Sequence, residues 1–157
     1  MMKFFYKIIM VQKQENGNWD KDIFVEEIKI IQDNIKRMSS NSFLIKGWVV
    51  TLFSAMLLIN DNERYTMLFL IIPIILFWVL DAYFLRKERL FRKLYNWVIV
   101  NRMLTNEYLF DLNTNRFKDT VDSIIELVFS KSLFLFYITV IIVVLTIYLL
   151  TLFNIIT

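Results

Sequence analysis

Lys46 and Asp81 stand as isolated ionisable residues inside otherwise apolar runs, and any chemistry this chain performs in an apolar medium must start from them. An ammonium and a carboxylate at that depth can neutralise each other or line an ion path, because a charge among acyl chains is costly unless paired or wetted. Pairing is the simpler of the two, with Arg86, five positions beyond Asp81, as a rival partner. Little else in the chain can do chemistry. Its 157 residues include no Cys and no His, which removes disulfides, thiolate and imidazole metal sites, imidazole-dependent triads and histidine pH switches together. The only glycines are Gly17 and Gly47, so no glycine-rich loop can cradle a phosphate. No enzyme class, metal or cofactor is expected, since Asp81 lacks a second intramembrane carboxylate to work with.

Two further sets of residues could bind or conduct. Ser132, Thr139 and Thr146 recur every seven residues in a charge-free run, with Ser130, Tyr137 and Thr151 on a neighbouring row. Small hydroxyls on one helix face suit a pore wall, close helix packing, or bonding to the helix's own carbonyls four residues back. The second set is basic: Arg86, Lys87, Arg89, Arg92, Lys93 and Arg102, interleaved with Tyr95 and Trp97, with Lys36 and Arg37 joining if the two cytoplasmic helices lie side by side. Lipid headgroups and the orientation of a membrane protein account for such a cluster. A nucleotide or single-stranded oligonucleotide would instead place its phosphates on the cations and stack its bases on the rings.

The elements that must position these residues follow from hydropathy. The chain is 57% apolar and 17% aromatic, above the usual share for a soluble domain, and its charges are confined to a few segments. The start, Met1 to Val11, resembles a secretory signal, but Lys7 and Lys13 shorten its apolar run and no cleavage site follows. It reads as mature protein, a strand entering a turn at Asn16-Gly17-Asn18 or a short surface helix. From Asp22 as N-cap, Phe24, Ile28, Ile31, Ile35 and Met38 form a heptad stripe, which fits packing on the same chain or a subunit contact. The same count continues through Ser42, Ile45, Val49, Leu52, Met56 and Ile59, so one helix is expected to run from cytosol into lipid.

Residues 43–59 form a first span at the short limit for crossing a bilayer, and Asn60 to Arg64 form a polar turn. Tyr65 to Leu85 is a second span, with a kink expected at Pro73. Five basic residues against one acid in 86–93 place that end in the cytoplasm. The helix should continue to about Arg102 and break near Thr105-Asn106. A turn at 111–115 and a helix from about Asp119, with Val121, Ile124, Ile125 and Val128 on one side, precede a third span over 133–156. The expected fold is an all-α membrane protein of about three transmembrane helices in a symmetric homo-oligomer. Its segments are a cytoplasmic 1–42, a hairpin 43–85, a basic cytoplasmic 86–131 and a final span 132–157, with the N-terminus inside and the C-terminus outside.

The run Ile31-Gln32-Asp33-Asn34-Ile35-Lys36-Arg37-Met38-Ser39-Ser40-Asn41-Ser42-Phe43 leads into Lys46-Gly47-Trp48, and Asp81-Ala82-Tyr83-Phe84-Leu85-Arg86-Lys87-Glu88-Arg89-Leu90-Phe91-Arg92-Lys93-Leu94-Tyr95 follows later. Together, over roughly residues 30–100, they resemble small bacterial anti-phage membrane effectors, the SLATT-like family and the channel effector of the Hailong system. The resemblance implies an effector that oligomerises, depolarises the inner membrane on infection and halts the cell; among oligomers a tetramer is favoured. The resemblance also implies a nucleotidyltransferase or TIR-type operon partner. The third span departs from the simplest two-span members. A non-conducting scaffold that anchors a soluble partner is the alternative, and composition fits both.

Overall fold

The computed structural model describes residues 19–58, 69, 71–102 and 104–153, and every regular element among them is helical. Helix α1 spans Trp19–Leu58, 40 residues, about 60 Å at the α-helical rise of 1.5 Å per residue. Helix α2 spans Ile71–Asn101. A 3-10 helix, Asn115–Thr120, and the short α3, Ile124–Val128, lead into α4, Lys131–Leu152. The expected turns at 16–18 and 60–64, the side chain of Met56, Ile59 and the start of the second span lie outside the described residues. Pro73 falls in the first described turn of α2, and the upstream half of its expected kink lies outside them too.

Helices α1 and α2 pair antiparallel, because Glu27 meets Arg102 at one end and Lys46 meets Asp81 farther along. The stripe explains the pairing. Its apolar residues at alternating spacings of four and three make one continuous seam on a helix. Ile31 is buried against Leu94 and Val98, with Phe24, Ile28 and Ile35 packed around them. These four are thus occupied by their own chain, which corrects the expectation that they form a subunit contact; Met38 is half-buried outside this cluster. A second core holds Val49, Ile74, Ala82, Leu127, Leu133, Tyr137 and Val144, and joins α4 to the pair.

Both long helices run unbroken through the polar and apolar halves of their sequences, so the segment borders at 42/43 and 85/86 fall inside single helices. Two local details differ from the sequence reading. The described part of α1 already runs from Trp19, which puts Asp22 inside the helix rather than at its cap. The helix expected from about Asp119 is instead a 3-10 turn, an extended Val121 and then α3, because Ser123 and Glu126 form a reciprocal capping box that starts a helix at Ile124. In consequence Ile125 points outward at 74% exposure rather than joining Ile124 and Val128. Among the described residues, one helix, Lys131–Leu152, is long and apolar enough to cross a membrane.

Candidate functional site

Asp81 is the centre of a polar arrangement that draws all three long helices together. Its side chain has 0% exposure, and Lys46 Nζ lies 2.5 Å from its Oδ2. Ser42, one turn before Lys46 on α1, donates its hydroxyl to Oδ1 and accepts from Lys46 at 3.0 Å. From α4 the Tyr137 hydroxyl stands 3.1 Å from Asp81 Oδ2 and 3.2 Å from the Phe77 carbonyl, so its single proton chooses between two acceptors. Trp78 holds the phenol from the other side: its ring stacks on Tyr137 at 5.4 Å and its Nε1 donates to the Val128 carbonyl at 3.0 Å.

The sequence order that makes this possible is short. Ser42 and Lys46 are four apart and share a face of α1, while Phe77 and Asp81 are four apart and share a face of α2. A carboxylate with three donors around it is fully satisfied, and removing one charge from such a pair leaves the other stranded at a cost of about 3–5 kcal/mol. The rival partner is otherwise engaged, because Arg86 donates to the Asp122 and Lys118 carbonyls at 3.1 and 3.2 Å. Lys46, a quarter exposed, is the member of the pair that still meets the surroundings.

The basic cluster is divided by the fold. Arg102 is buried and grips Glu27 with two bonds of 2.6 Å, while its Nη1 donates to the carbonyls of Thr105 and Glu107. Glu27 also accepts from the Phe110 backbone at 3.1 Å. Trp97 is covered by the Arg116 guanidinium at 4.1 Å, which also lies 4.5 Å from the Tyr108 ring. The expectation that Arg102 and Trp97 receive a ligand is therefore corrected: both lock the connection that follows α2. Arg86 is tied to carbonyls, and Arg89 to Asp122. Arg37 bonds Asn34, Arg92 bonds Glu88 at 2.7 Å, and Lys87 lies 5.7 Å over the Tyr83 ring. These three, with Lys36 and Lys93, keep donors toward solvent.

On α4, Thr139 and Thr146 each donate to the carbonyl four residues back, Leu135 at 2.7 Å and Ile142 at 2.8 Å. Their hydroxyls are thereby satisfied within the helix, and Thr139, Thr146 and Ser132 all lie on an exposed face with Leu135, Ile142 and Leu149. Sequence reasoning missed three partners. Glu27 looked like one more surface acid of α1, Tyr137 was read only as part of a hydroxyl row, and Arg116 was not considered. The capping signature Ser123-Ile124-Ile125-Glu126 was present and unread.

Among the described residues, the fold and site define an all-α protein with one helix suited to crossing a membrane and an ion pair, its carboxylate buried, where three long helices meet. No family model, curated protein or solved structure matches the chain.

Proposed function

We propose that the protein is a multi-pass inner-membrane protein with three crossings, and that it assembles as a symmetric homo-oligomer, four copies favoured, into an ion channel or pore-forming effector of bacterial anti-phage defence. One observation carries the reading: outward apolar side chains on all three helices surround a buried ion pair. Phe43, Trp48 and Val50 of α1, Ile72, Leu76 and Val79 of α2, and Leu135 and Ile142 of α4 all face outward. Apolar faces of this extent call for lipid or a second subunit. An ionisable pair at such a depth is a functional site by default.

Three helices of one chain cannot enclose a wide aqueous path, so several copies must do it. The face of α4 that carries Ser132, Thr139 and Thr146 is open for this, whereas the stripe of α1 is not. Helices α1 and α2 extend without a break from the ion pair to the cytoplasmic end, so a nucleotide or oligonucleotide engaging Lys36, Arg37, Lys87, Arg92 or Lys93 could tilt them and change the Lys46–Asp81 contact. The SLATT-like resemblance supports the same reading. The test is reconstitution of the purified chain in liposomes with a potential-sensitive dye, and chemical cross-linking in mild detergent. Ion flux with an oligomeric ladder is expected; a monomer without flux under every nucleotide condition overturns it.

A second reading is a non-conducting scaffold that anchors a soluble partner. It is favoured by the apolar tip at the end of α2, where Val100 and Leu104 stand open, Leu104 at 83% exposure. Harmless expression with stoichiometric recovery of a soluble partner would select it.

A further inference from the structure

Between α1 and α2, on the side of the ion pair that faces Glu27 and Arg102, the two helices leave a groove of about 800 Å³. Lys36, Ser39, Ser40 and Phe43 line it from α1, and Arg92 and Tyr95 from α2. None of the residues lining it is acidic. Glu88 holds Arg92 at 2.7 Å, and it engages one edge of a guanidinium that has five N–H donors. Lys36 makes no ion pair among the described residues. Gln32 bridges the groove to the Tyr95 hydroxyl at 3.3 Å, which fixes its width at the end away from Phe43.

The composition of the groove changes along its length. Ser39, Ser40, Lys36 and Arg92 supply hydroxyl and cationic donors at one level. Phe43, at 76% exposure, lines the other end, and Val50, seven residues on and so on the same side of α1, is exposed beyond it. Gly47, one turn beyond Phe43, has no described residue within 4 Å of where a Cβ would sit, so none of them closes this path there. Charge-assisted donors at one level and bare hydrocarbon directly beneath match an amphiphile with an anionic head, and no soluble anion needs the lower half.

We propose that this groove holds the phosphate of an anionic phospholipid from the cytoplasmic leaflet, the phosphate on Lys36, Arg92 and the two serines and an acyl chain along Phe43 and Gly47. The inference rests on the membrane reading and adds a resident ligand to it. A wedge of lipid between α1 and α2 would make their spacing depend on headgroup charge, while Arg37, Lys87 and Lys93 stay available to a soluble signal.

The test uses the full chain purified in a mild detergent, with phosphatidylglycerol and phosphatidylcholine added separately and retained lipid counted by native mass spectrometry. The wild type is expected to retain phosphatidylglycerol preferentially. Lys36→Ala with Arg92→Ala should lower that preference by about tenfold, as expected for losing charge-assisted bonds to phosphate. Lys87→Ala with Lys93→Ala, which removes the same charge elsewhere, should leave it unchanged. Because Arg92→Ala also releases Glu88, Ser40→Asp provides a second variant that keeps the Arg92 pair and should repel the phosphate equally. Equal retention of the two lipids by the wild type overturns the proposal, and so does an equal loss in the Lys87/Lys93 variant. Displacement of phosphatidylglycerol by millimolar inorganic phosphate or ATP that itself stabilises the lipid-free protein assigns the groove to a soluble anion and overturns it as well. Flotation of the wild type with vesicles is scored separately: a chain that floats without headgroup preference defeats this inference alone, and one that does not float defeats the membrane reading.

Discussion

The hydroxyl of Tyr137 reaches Asp81 Oδ2 at 3.1 Å, and through it α4 is attached to the ion pair that α1 and α2 already share. The phenol is buried and, among the described residues, its other acceptor is the Phe77 carbonyl at 3.2 Å, so it adds a donor from α4 to a carboxylate already bonded from α1. Loss of this bond frees α4 from the pair without creating a charge.

Tyr137→Phe should therefore cost about 1.5–3 kcal/mol, the usual range for a hydrogen bond to a charged group. The ring stacking on Trp78 is kept in this variant, so the loss reports the hydroxyl. Denaturant titration in detergent micelles measures it, with a conserved near-ultraviolet spectrum as the control for packing. No change in midpoint would show that the phenol spends its proton on Phe77.

Removal of either charge is a larger perturbation. Asp81→Asn leaves Lys46 with no carboxylate and Lys46→Met leaves the fully buried Asp81 with no cation, each costing about 3–5 kcal/mol. The double variant Lys46→Met with Asp81→Leu should recover most of that loss, since a buried pair replaced by apolar side chains of similar size is often neutral. Non-additivity in this cycle is the readout. Additive losses would mean that the two residues are not coupled, and Lys46 would then be free for another role.

At the opposite end of the helix pair, Glu27 and Arg102 tie α1 to the connection after α2, where Tyr108 and Phe110 have φ of 57° and 56°. Left-handed backbone at aromatic residues carries strain of about 1–2 kcal/mol each, and it persists only where neighbours hold it. Arg102 bonds the carbonyls of Thr105 and Glu107, and Glu27 receives the Phe110 N–H. Glu27→Gln should loosen this segment: amide exchange over 104–114 is expected to speed up at least tenfold, while exchange in the middle of α4 stays unchanged. Uniform acceleration would indicate global destabilisation instead.

The capping box before α4 gives a pH dependence. Backbone and side-chain bonds from Ser123 hold the Glu126 carboxyl below the ordinary carboxylate range. A carboxyl with a depressed folded pKa contributes stability above its unfolded pKa and loses it as pH falls through the folded value. Amide protection of Glu126 and Leu127 should thus be flat from neutral pH down to the ordinary carboxylate range and decline only below it. Glu126→Gln should abolish the pH-dependent component, whereas Ser123→Ala, which keeps the backbone N–H that Glu126 accepts from, should only reduce it. Protection in the Glu126→Gln variant that still tracks pH would place the titrating group elsewhere.

How far the sequence revealed this arrangement depends on whether a residue's partner follows from periodicity or from tertiary register. The unbroken α1 and α2 were readable because the apolar stripe does not change phase at Ser42, and the Lys46–Asp81 pairing because counting along the sequence from the polar run 60–64 puts both residues at a similar depth. Arg102 was not readable as a structural residue: its partner Glu27 is 75 positions away and belongs to a run that looks like a solvated face. Tyr137 was visible only as one hydroxyl among several, because the register of α4 against α2 is set by Trp78 and the α3 connection, which no periodicity encodes. The basic cluster misled for a simple reason: composition counts cations, and only geometry shows which of them already have partners.

The threonine face of α4 offers the sharpest separation between a pore, a subunit seam and bare lipid contact. Thr139 and Thr146 satisfy their hydroxyls within the helix, so Thr139→Ala or Thr146→Ala should change monomer stability by no more than about 0.5 kcal/mol, the scale of surface substitutions. The chain has no cysteine, so single cysteines can be introduced from Ser132 to Leu149 on a silent background. For a channel, water-soluble thiol reagents should label positions 132, 139 and 146 and spare positions such as Leu135 and Ile142 only where another copy covers them. Disulfide-linked dimers at those shielded positions would identify the seam. Labelling that is absent on every face, with no cross-linked species, places this helix wholly among acyl chains and removes α4 as the wall of the conduction path.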